Sequence, residues 1–358
     1  MIDKSIFREY DIRGIVPEQI NDHSVKAIAR AISIKCNNEQ IDEVALGRDG
    51  RLSGESLLRS LSTELQSLGI NVLNIGIVTS PLLYFAAKKI KSKSGIMITG
   101  SHNPKNYNGF KIVINDSPVS GIEIHDLISN ELSNFKNSGS EIVREDIMDE
   151  YIYEVISQVS SEANPMKIVV DCGNGSASEI APKLIRSLGN QVIELFCKID
   201  GNFPNHHPDP GKIENLQDLI KAVKSESADL GIAFDGDGDR LGVVDNMGEE
   251  IFSDKIGLML ARNVAADYPN STFVIDVKST GLYFHDEYLK AQNCKIEMWK
   301  TGHSHMKRRV RELNSICGFE KSGHFFINEP LGLGFDDGLK SAILMAKLLD
   351  DNSAVKLA

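Results

Sequence analysis

The sequence is poor in cysteine: Cys36, Cys172, Cys197, Cys294 and Cys317 are all it has in 358 residues. An odd number this widely spaced contains no C-x-x-C pair and no zinc-type spacing, which excludes a disulfide framework and a cysteine-built zinc centre. Buried, reduced thiols are the expectation. Positive charge is also short, with 39 Lys and Arg against 50 Asp and Glu and a formal net charge of -11. Broad nucleic-acid binding needs a basic face to neutralise phosphates, so that class falls away. No run of about 18 apolar residues occurs, and the opening "MIDKSIFREYDIRG" has no basic region followed by an apolar one. A cytoplasmic protein with no membrane partner is expected. Several nucleotide and hydrolase motifs are missing too. There is no G-x-x-x-x-G-K-[ST], "GNGSAS" (173–178) lacks the last glycine of G-x-G-x-x-G, and Ser101 has Thr99 and Asn103 where a nucleophile elbow needs glycine.

What is present is ordinary globular composition, 41% hydrophobic and 25% charged, in a chain long enough for two or three domains. One pattern recurs three times: an apolar strand, a loop with Asp and usually Gly, a helical stretch, and a second strand. The copies are "EVALGRDGRLSGESLLRSLSTELQSLGINVLNIG" from Glu43, "KIVVDCGNGSASEIAPKLIRSLGNQVIELF" from Lys167, and the more divergent "TFVIDVKSTGLYFHDEYLKAQNCKIEMW" from Thr272. Such alternation predicts three consecutive related α/β domains with mixed sheets sandwiched by helices. Leu68-Gly69 and Leu188-Gly189 supply helix-ending glycines in the first two copies. An acidic helical connector over 145–165 and a strand running into a helix over 249–260 divide the chain into domains of 1–147, 148–251 and 252–358.

Two loops carry chemistry. "GIMITGSHNP" reads as a strand that delivers Ser101 just beyond its end, where α/β folds bind ligands. The Asn108-Gly109 turn signal that follows predicts a hairpin returning Lys111 toward the serine. The second loop is "DGDGDR", in which Asp235, Asp237 and Asp239 alternate with glycines after the apolar run "LGIAF". Three crowded carboxylates repel one another unless a hard divalent cation sits among them. An EF-hand is excluded, because its sixth position is Arg240 and its twelfth Asn246. Coordination left open by so few ligands suits a phosphate oxygen, with Arg240 to pair a phosphate. A weaker grouping in "FEKSGHFF" sets Glu320, Ser322 and His324 in one polar loop suited to sugar hydroxyls.

Taken in order, "FREYDIRG", "GRDGRLSG", "TGSHNPKNYNGFKI", "DCGNG", "GNFPNHHPDPGKIENL", "DGDGDR", "KTGHS" and "EKSGHFF" resemble the α-D-phosphohexomutase family, in its bacterial phosphomannomutase/phosphoglucomutase branch, from Phe7 to about Leu349. The resemblance implies an isomerase that exchanges hexose 1-phosphate and hexose 6-phosphate, of mannose or glucose, through phosphoserine and a bound hexose 1,6-bisphosphate that also acts as activator. It implies Ser101 as nucleophile, with Lys111, Arg13 and His102 beside it. One Mg²⁺ would be held by Asp235, Asp237, Asp239 and an oxygen of the Ser101 phosphate. Tyr10, Arg240, Lys278 and His303 match substrate-binding positions, and Glu320, Ser322 and His324 those that grip O3 and O4 of the phosphorylated hexose. Phe319 stands where the family has glycine, and Lys321 occupies a position that varies with substrate. The resemblance further implies a fourth, C-terminal domain that clamps the second phosphate. These 358 residues do not contain one, and strongly reduced turnover is the expectation. Phosphoglucosamine mutase is the alternative within the class; a non-catalytic phosphosugar or metal binder and a phosphatase-like remnant are the alternatives outside it. The oligomeric state is left open.

Overall fold

The computed structural model describes residues 2–130, 138–158 and 165–351. Its backbone divides into two compact units, Met1–Tyr151 with Asp200–Asn202, and Ile152–Ile199 with Phe203–Ala358. Among the described residues no helix is long and apolar enough to cross a membrane.

The first unit is built on a seven-stranded sheet ordered Ile12–Ile15, Tyr107–Ile114, Gly95–Ile98, Glu43–Arg48, Asn71–Ile77, Glu141–Val143, with Ser117–Val119 also paired to Tyr107–Ile114. Alternate residues of the central strands, Val44, Leu46, Ile96, Ile98, Phe110, Ile112 and Ile114, share one apolar core with the buried faces of the helices Asp22–Asn38 and Gly54–Ser67. The period of two in a strand meets the period of 3.6 in a helix, which is why an amphipathic helix covers such a face. Asn21 and Ser24 start the first helix with a reciprocal capping box. The Gly69 expected to end the second has φ +84°.

The second unit holds two five-stranded sheets. One runs Glu250–Ile251, Leu241–Val244, Leu230–Phe234, Lys167–Asp171, Gln191–Leu195; the other runs Lys295–Trp299, Thr272–Asp276, Cys317–Phe319, Phe325–Ile327, Phe335–Asp336. The three strand–helix–strand copies read in the sequence fall on parallel pairs: Glu43–Arg48 with Asn71–Ile77, Lys167–Asp171 with Gln191–Leu195, and Thr272–Asp276 with Lys295–Trp299. Gly189, like Gly69, has a left-handed φ, +86°. The expected connector forms the helix Ile147–Ser157, with 159–164 outside the described residues, and the strand Glu250–Ile251 leads into the helix Ser253–Asp267.

The repeat extends further than the sequence pattern showed. In each sheet a third parallel strand lies beside the first (Gly95–Ile98, Leu230–Phe234, Cys317–Phe319), and its successor turns back antiparallel (Tyr107–Ile114, Leu241–Val244, Phe325–Ile327). The parallel-to-antiparallel connection is thus the same in all three, and it carries Ser101 in the first, the three aspartates in the second and Glu320 to His324 in the third.

Candidate active site

The serine loop connects Gly95–Ile98 to Tyr107–Ile114, which pair as the expected hairpin with Met97 opposite Lys111. The Asn108-Gly109 pair, however, is not its turn. Both residues lie inside the strand, where Gly109 is opposite Arg13 and a Cβ on it would come within 1.9 Å of the Ile12 carbonyl oxygen. Glycine is needed there for close approach of two backbones, and that requirement overrides its turn preference. Lys111 is buried on this strand.

Ser101 is 2% exposed and its backbone is left-handed, φ +46°, which costs an L-residue about 1 kcal/mol or more. Two residues absent from the sequence-based site hold it so. Asp49 accepts hydrogen bonds from Thr99 Oγ1 at 2.7 Å and the Gly100 amide at 3.1 Å, and Thr99 Oγ1 in turn accepts from the Ser101 amide at 2.7 Å. Arg51, fully buried, turns its guanidinium onto the loop's carbonyls: Nη2 donates to Ser101 and Asn103 at 2.6 Å each, and Nη1 to Pro104 at 2.6 Å and Tyr107 at 3.0 Å. Arg51 Nε meets Asp49 Oδ2 at 3.2 Å, which offsets the buried charge. One guanidinium thus gathers four carbonyls of residues 101 to 107, and His102 Nδ1 lies 3.3 Å from Ser101 Oγ. Arg13 is buried on Ile12–Ile15, paired with Asp11, and donates to the Thr99 carbonyl at 3.0 Å. Tyr10 is half-buried in the bend before that strand.

In the second unit, Asp235, Asp237 and Asp239 are wholly buried, and one carboxylate oxygen from each lies within 4.8 Å of the others. An all-oxygen, triply anionic set this compact fits a hard divalent cation of the Mg²⁺ or Ca²⁺ kind. Gly238, with φ +73°, makes the tight turn between the second and third aspartates. Arg240 follows, its amide donating to Asp235 Oδ1 at 3.2 Å and its guanidinium 3.8 Å from Asp235 Oδ2 and 3.9 Å from Asp209 Oδ1.

The Asp235–Asp239 loop and the Glu320–His324 loop meet within this unit, since Arg240 and His324 form an antiparallel bridge and Leu241 N donates to the Gly323 carbonyl at 3.1 Å. His324 Nε2 lies 3.4 Å from Asp239 Oδ1, and Nδ1 is 2.8 Å from Ser322 Oγ and 3.1 Å from Glu320 Oε2. Burial pushes the His324 imidazole down, but Asp239 and Glu320 outweigh both burial and Arg240 and lift it to about 9. Burial would raise the Glu320 carboxyl; His324, the Gly302 amide at 2.6 Å and His303 hold it below its ordinary value. His303 begins the helix His303–Glu312, its ring 5.8 Å from that of His324 and its Nδ1 3.8 Å from Asp336, which Lys307 binds at 2.8 Å.

The buried Asp276 was not singled out in the sequence, yet it ties together the loops that carry Lys278, His303 and Glu320. Its Oδ1 accepts from Ser279 Oγ at 2.6 Å and the Lys321 amide at 3.2 Å, and its Oδ2 from Thr301 Oγ1 at 2.8 Å. Lys278 itself is exposed just past the strand Thr272–Asp276. Ser101, Arg13, His102, Lys111 and Tyr10 belong to the first unit, and the aspartates, Arg240, Lys278, His303, Glu320, Ser322 and His324 to the second.

The histidine-rich "NHHPDP" stretch supports the second sheet. His206 Nε2 sits 2.9 Å from the wholly buried Asp171 Oδ2, and Asp171 Oδ1 accepts from the Gly173 amide at 2.8 Å. Burial lowers the His206 pKa, but Asp171 more than offsets it and the net shift is upward. A raised folded pKa means stabilisation fully present below the unfolded value of about 6.5 and lost as pH rises through the folded one. The melting-temperature deficit of His206→Gln is therefore expected to be largest below about pH 6.5 and to shrink as the pH rises above it; a deficit that grew with pH would refute the ion pair.

Three family models match the chain: phosphoglucomutase/phosphomannomutase alpha/beta/alpha domain I over residues 4–138, domain II over 149–248 and domain III over 252–358. A phosphomannomutase/phosphoglucomutase of Pseudomonas aeruginosa is 45% identical over 349 residues, covering 97% of this chain and 74% of that protein. A phosphoglucomutase of Neisseria gonorrhoeae is 43% identical over 351 residues, covering 97% and 75%. Among solved structures, a phosphoglucomutase/phosphomannomutase family protein from Burkholderia thailandensis superimposes with a TM-score of 0.91 at 38% identity, covering 98% of this chain and 78% of that one.

Proposed function

This chain belongs to the phosphoglucomutase/phosphomannomutase family, and from that premise we propose that it interconverts hexose 1-phosphate and hexose 6-phosphate, as an intramolecular phosphotransferase working through a phosphoserine at Ser101. Mannose and glucose are the sugars to which the relatives' names point. The observation that carries the reading is the Ser101 loop: a buried serine, strained into a left-handed turn by Asp49 and Arg51, with His102, Arg13 and Lys111 supplied by the same unit.

The substrate's free hydroxyl attacks the phosphorus on Ser101, the Ser101 Oγ–P bond breaks, and a hexose 1,6-bisphosphate forms. In the return step Ser101 Oγ attacks the other phosphorus, and the isomeric monophosphate leaves. Lys111 takes the hydroxyl proton in the first step and returns it in the second, and Arg13 pairs with charge on the transferring group. His102 orients the serine oxygen. A magnesium ion held by Asp235, Asp237 and Asp239 supplies neutralisation of phosphoryl charge when bound. Glu320, Ser322 and His324 already satisfy one another by hydrogen bonds. Sugar hydroxyls, which both donate and accept, can insert among them, and Arg240 binds phosphate.

The test is a panel of glucose, mannose and glucosamine 1-phosphates with catalytic hexose 1,6-bisphosphate, following isomer and inorganic phosphate together. Isomer from the glucose and mannose compounds, ahead of glucosamine and abolished by chelation, is expected. Release of phosphate without isomer would sink the proposal. Magnesium should also raise the melting temperature, by about 2.7 kcal/mol of stability at a hundred times its Kd. Asp237→Asn should lose that response without losing stability in the metal-free state, because it removes one of three repelling buried charges.

A further inference from the structure

We propose that Cys172 and Cys197 are an oxidisable thiol pair, a site at which peroxide installs a disulfide between two neighbouring parallel strands. Cys172 follows the strand Lys167–Asp171 and Cys197 follows Gln191–Leu195, which pair with Asp171 opposite Leu195. The Cys172 amide continues the ladder by donating to the Leu195 carbonyl at 3.1 Å. Phe196 then takes a left-handed φ of +52°, and this bend turns Cys197 back over the neighbouring strand end, bringing the two sulfurs to 3.3 Å. A disulfide needs about 2.05 Å, so closure is a little over an ångström of motion by a half-buried side chain at a strand end.

Access is one-sided, which sets the order of events. Cys172 is wholly buried, whereas Cys197 lines a surface groove of about 490 Å³ together with Glu179, Lys183, Arg186 and Lys198. Hydrogen peroxide oxidises the Cys197 thiol to a sulfenic acid, releasing one water. The Cys172 sulfur then attacks the Cys197 sulfur, the S–O bond breaks, and the oxygen leaves as a second water with the Cys172 proton. Burial pushes the Cys172 thiol well up, so the second step quickens with pH. The disulfide would sit close to the metal loop: the Gly175 amide donates to the Cys172 carbonyl at 2.7 Å, and Ser176 donates to the Gly236 carbonyl through its amide at 3.0 Å and its hydroxyl at 3.2 Å.

The test treats the full chain with hydrogen peroxide, quenches it, alkylates it in denaturant and maps the peptides by mass. Cys172 and Cys197 are expected to lose alkylation together and to appear as one cross-linked peptide, reversed by dithiothreitol, while Cys36 and Cys317 keep alkylation. In Cys197→Ser the cross-linked peptide should vanish and Cys172 should stay alkylatable. Retained alkylation at both cysteines, or sulfinic acid at Cys197 with Cys172 still alkylatable, would overturn the proposal.

Discussion

Ser101→Ala is expected to lower kcat/KM for isomerisation by about a thousandfold or more, equivalent to about 4 kcal/mol of lost transition-state stabilisation. The reason is stoichiometric. Without Oγ there is no acceptor to carry a phosphoryl group between the two halves of the reaction, so loss falls on chemistry and not on binding. The protein should stay folded, because alanine adopts the φ of +46° at the same cost as serine. Ser101→Gly separates the two properties more sharply. Glycine relieves the left-handed strain, against a smaller loss of unfolded-state restriction, so it should gain up to about 1 kcal/mol of stability while being equally inactive. Activity from phosphate assays and melting temperature from denaturation would thus move in opposite directions. Full isomerase activity in either variant, or phosphorylation at another residue after treatment with hexose 1,6-bisphosphate, would remove Ser101 from the mechanism.

Why the sequence revealed this serine and not its supports follows from where the information lies. The serine, the aspartates and the Glu320 to His324 loop are chemically loud, with unusual residue types at fixed spacings right after apolar strands. The parallel pairs were legible because β-branched strands and helical stretches differ in period. By contrast, Arg51 acts on backbone carbonyls spread over residues 101 to 107, and a carbonyl has no signature in a sequence. Asp276 likewise gathers a serine, a threonine and an amide from three loops that only the sheet brings together. Asn108-Gly109 misled for a related reason: the same glycine that permits a turn also permits a Cβ-free contact with Ile12. The matching loop position in all three sheets has no signature in the sequence, because the third-strand segments share topology without sharing residues.

Arg51 yields the second large effect. Arg51→Met keeps most of the volume but removes the fork, leaving four inward carbonyls without their donor and the Asp49 carboxylate buried without its cation. Breaking a buried, hydrogen-bonded ion pair from one side costs about 3–5 kcal/mol, a large part of a total stability of about 5–15 kcal/mol. The first unit of this variant should therefore melt far earlier than the wild type. Arg51→Lys is the more informative change. Lysine keeps the charge beside Asp49, yet its ammonium is a point donor with three protons and cannot span carbonyls that the guanidinium reaches from two separate nitrogens. Stability should fall by about 1–3 kcal/mol, while a shift of the serine by about an ångström should slow its phosphorylation by hexose 1,6-bisphosphate roughly a hundredfold. Gly100→Ala reaches the same loop from the other side, since a Cβ there would lie 2.2 Å from Arg51 Cζ and must displace the guanidinium. The two variants should share the slow phosphorylation and leave the magnesium response of the second unit intact. If folded Arg51→Lys were phosphorylated at the wild-type rate, Arg51 would be a stabilising residue alone, with no part in aiming Ser101.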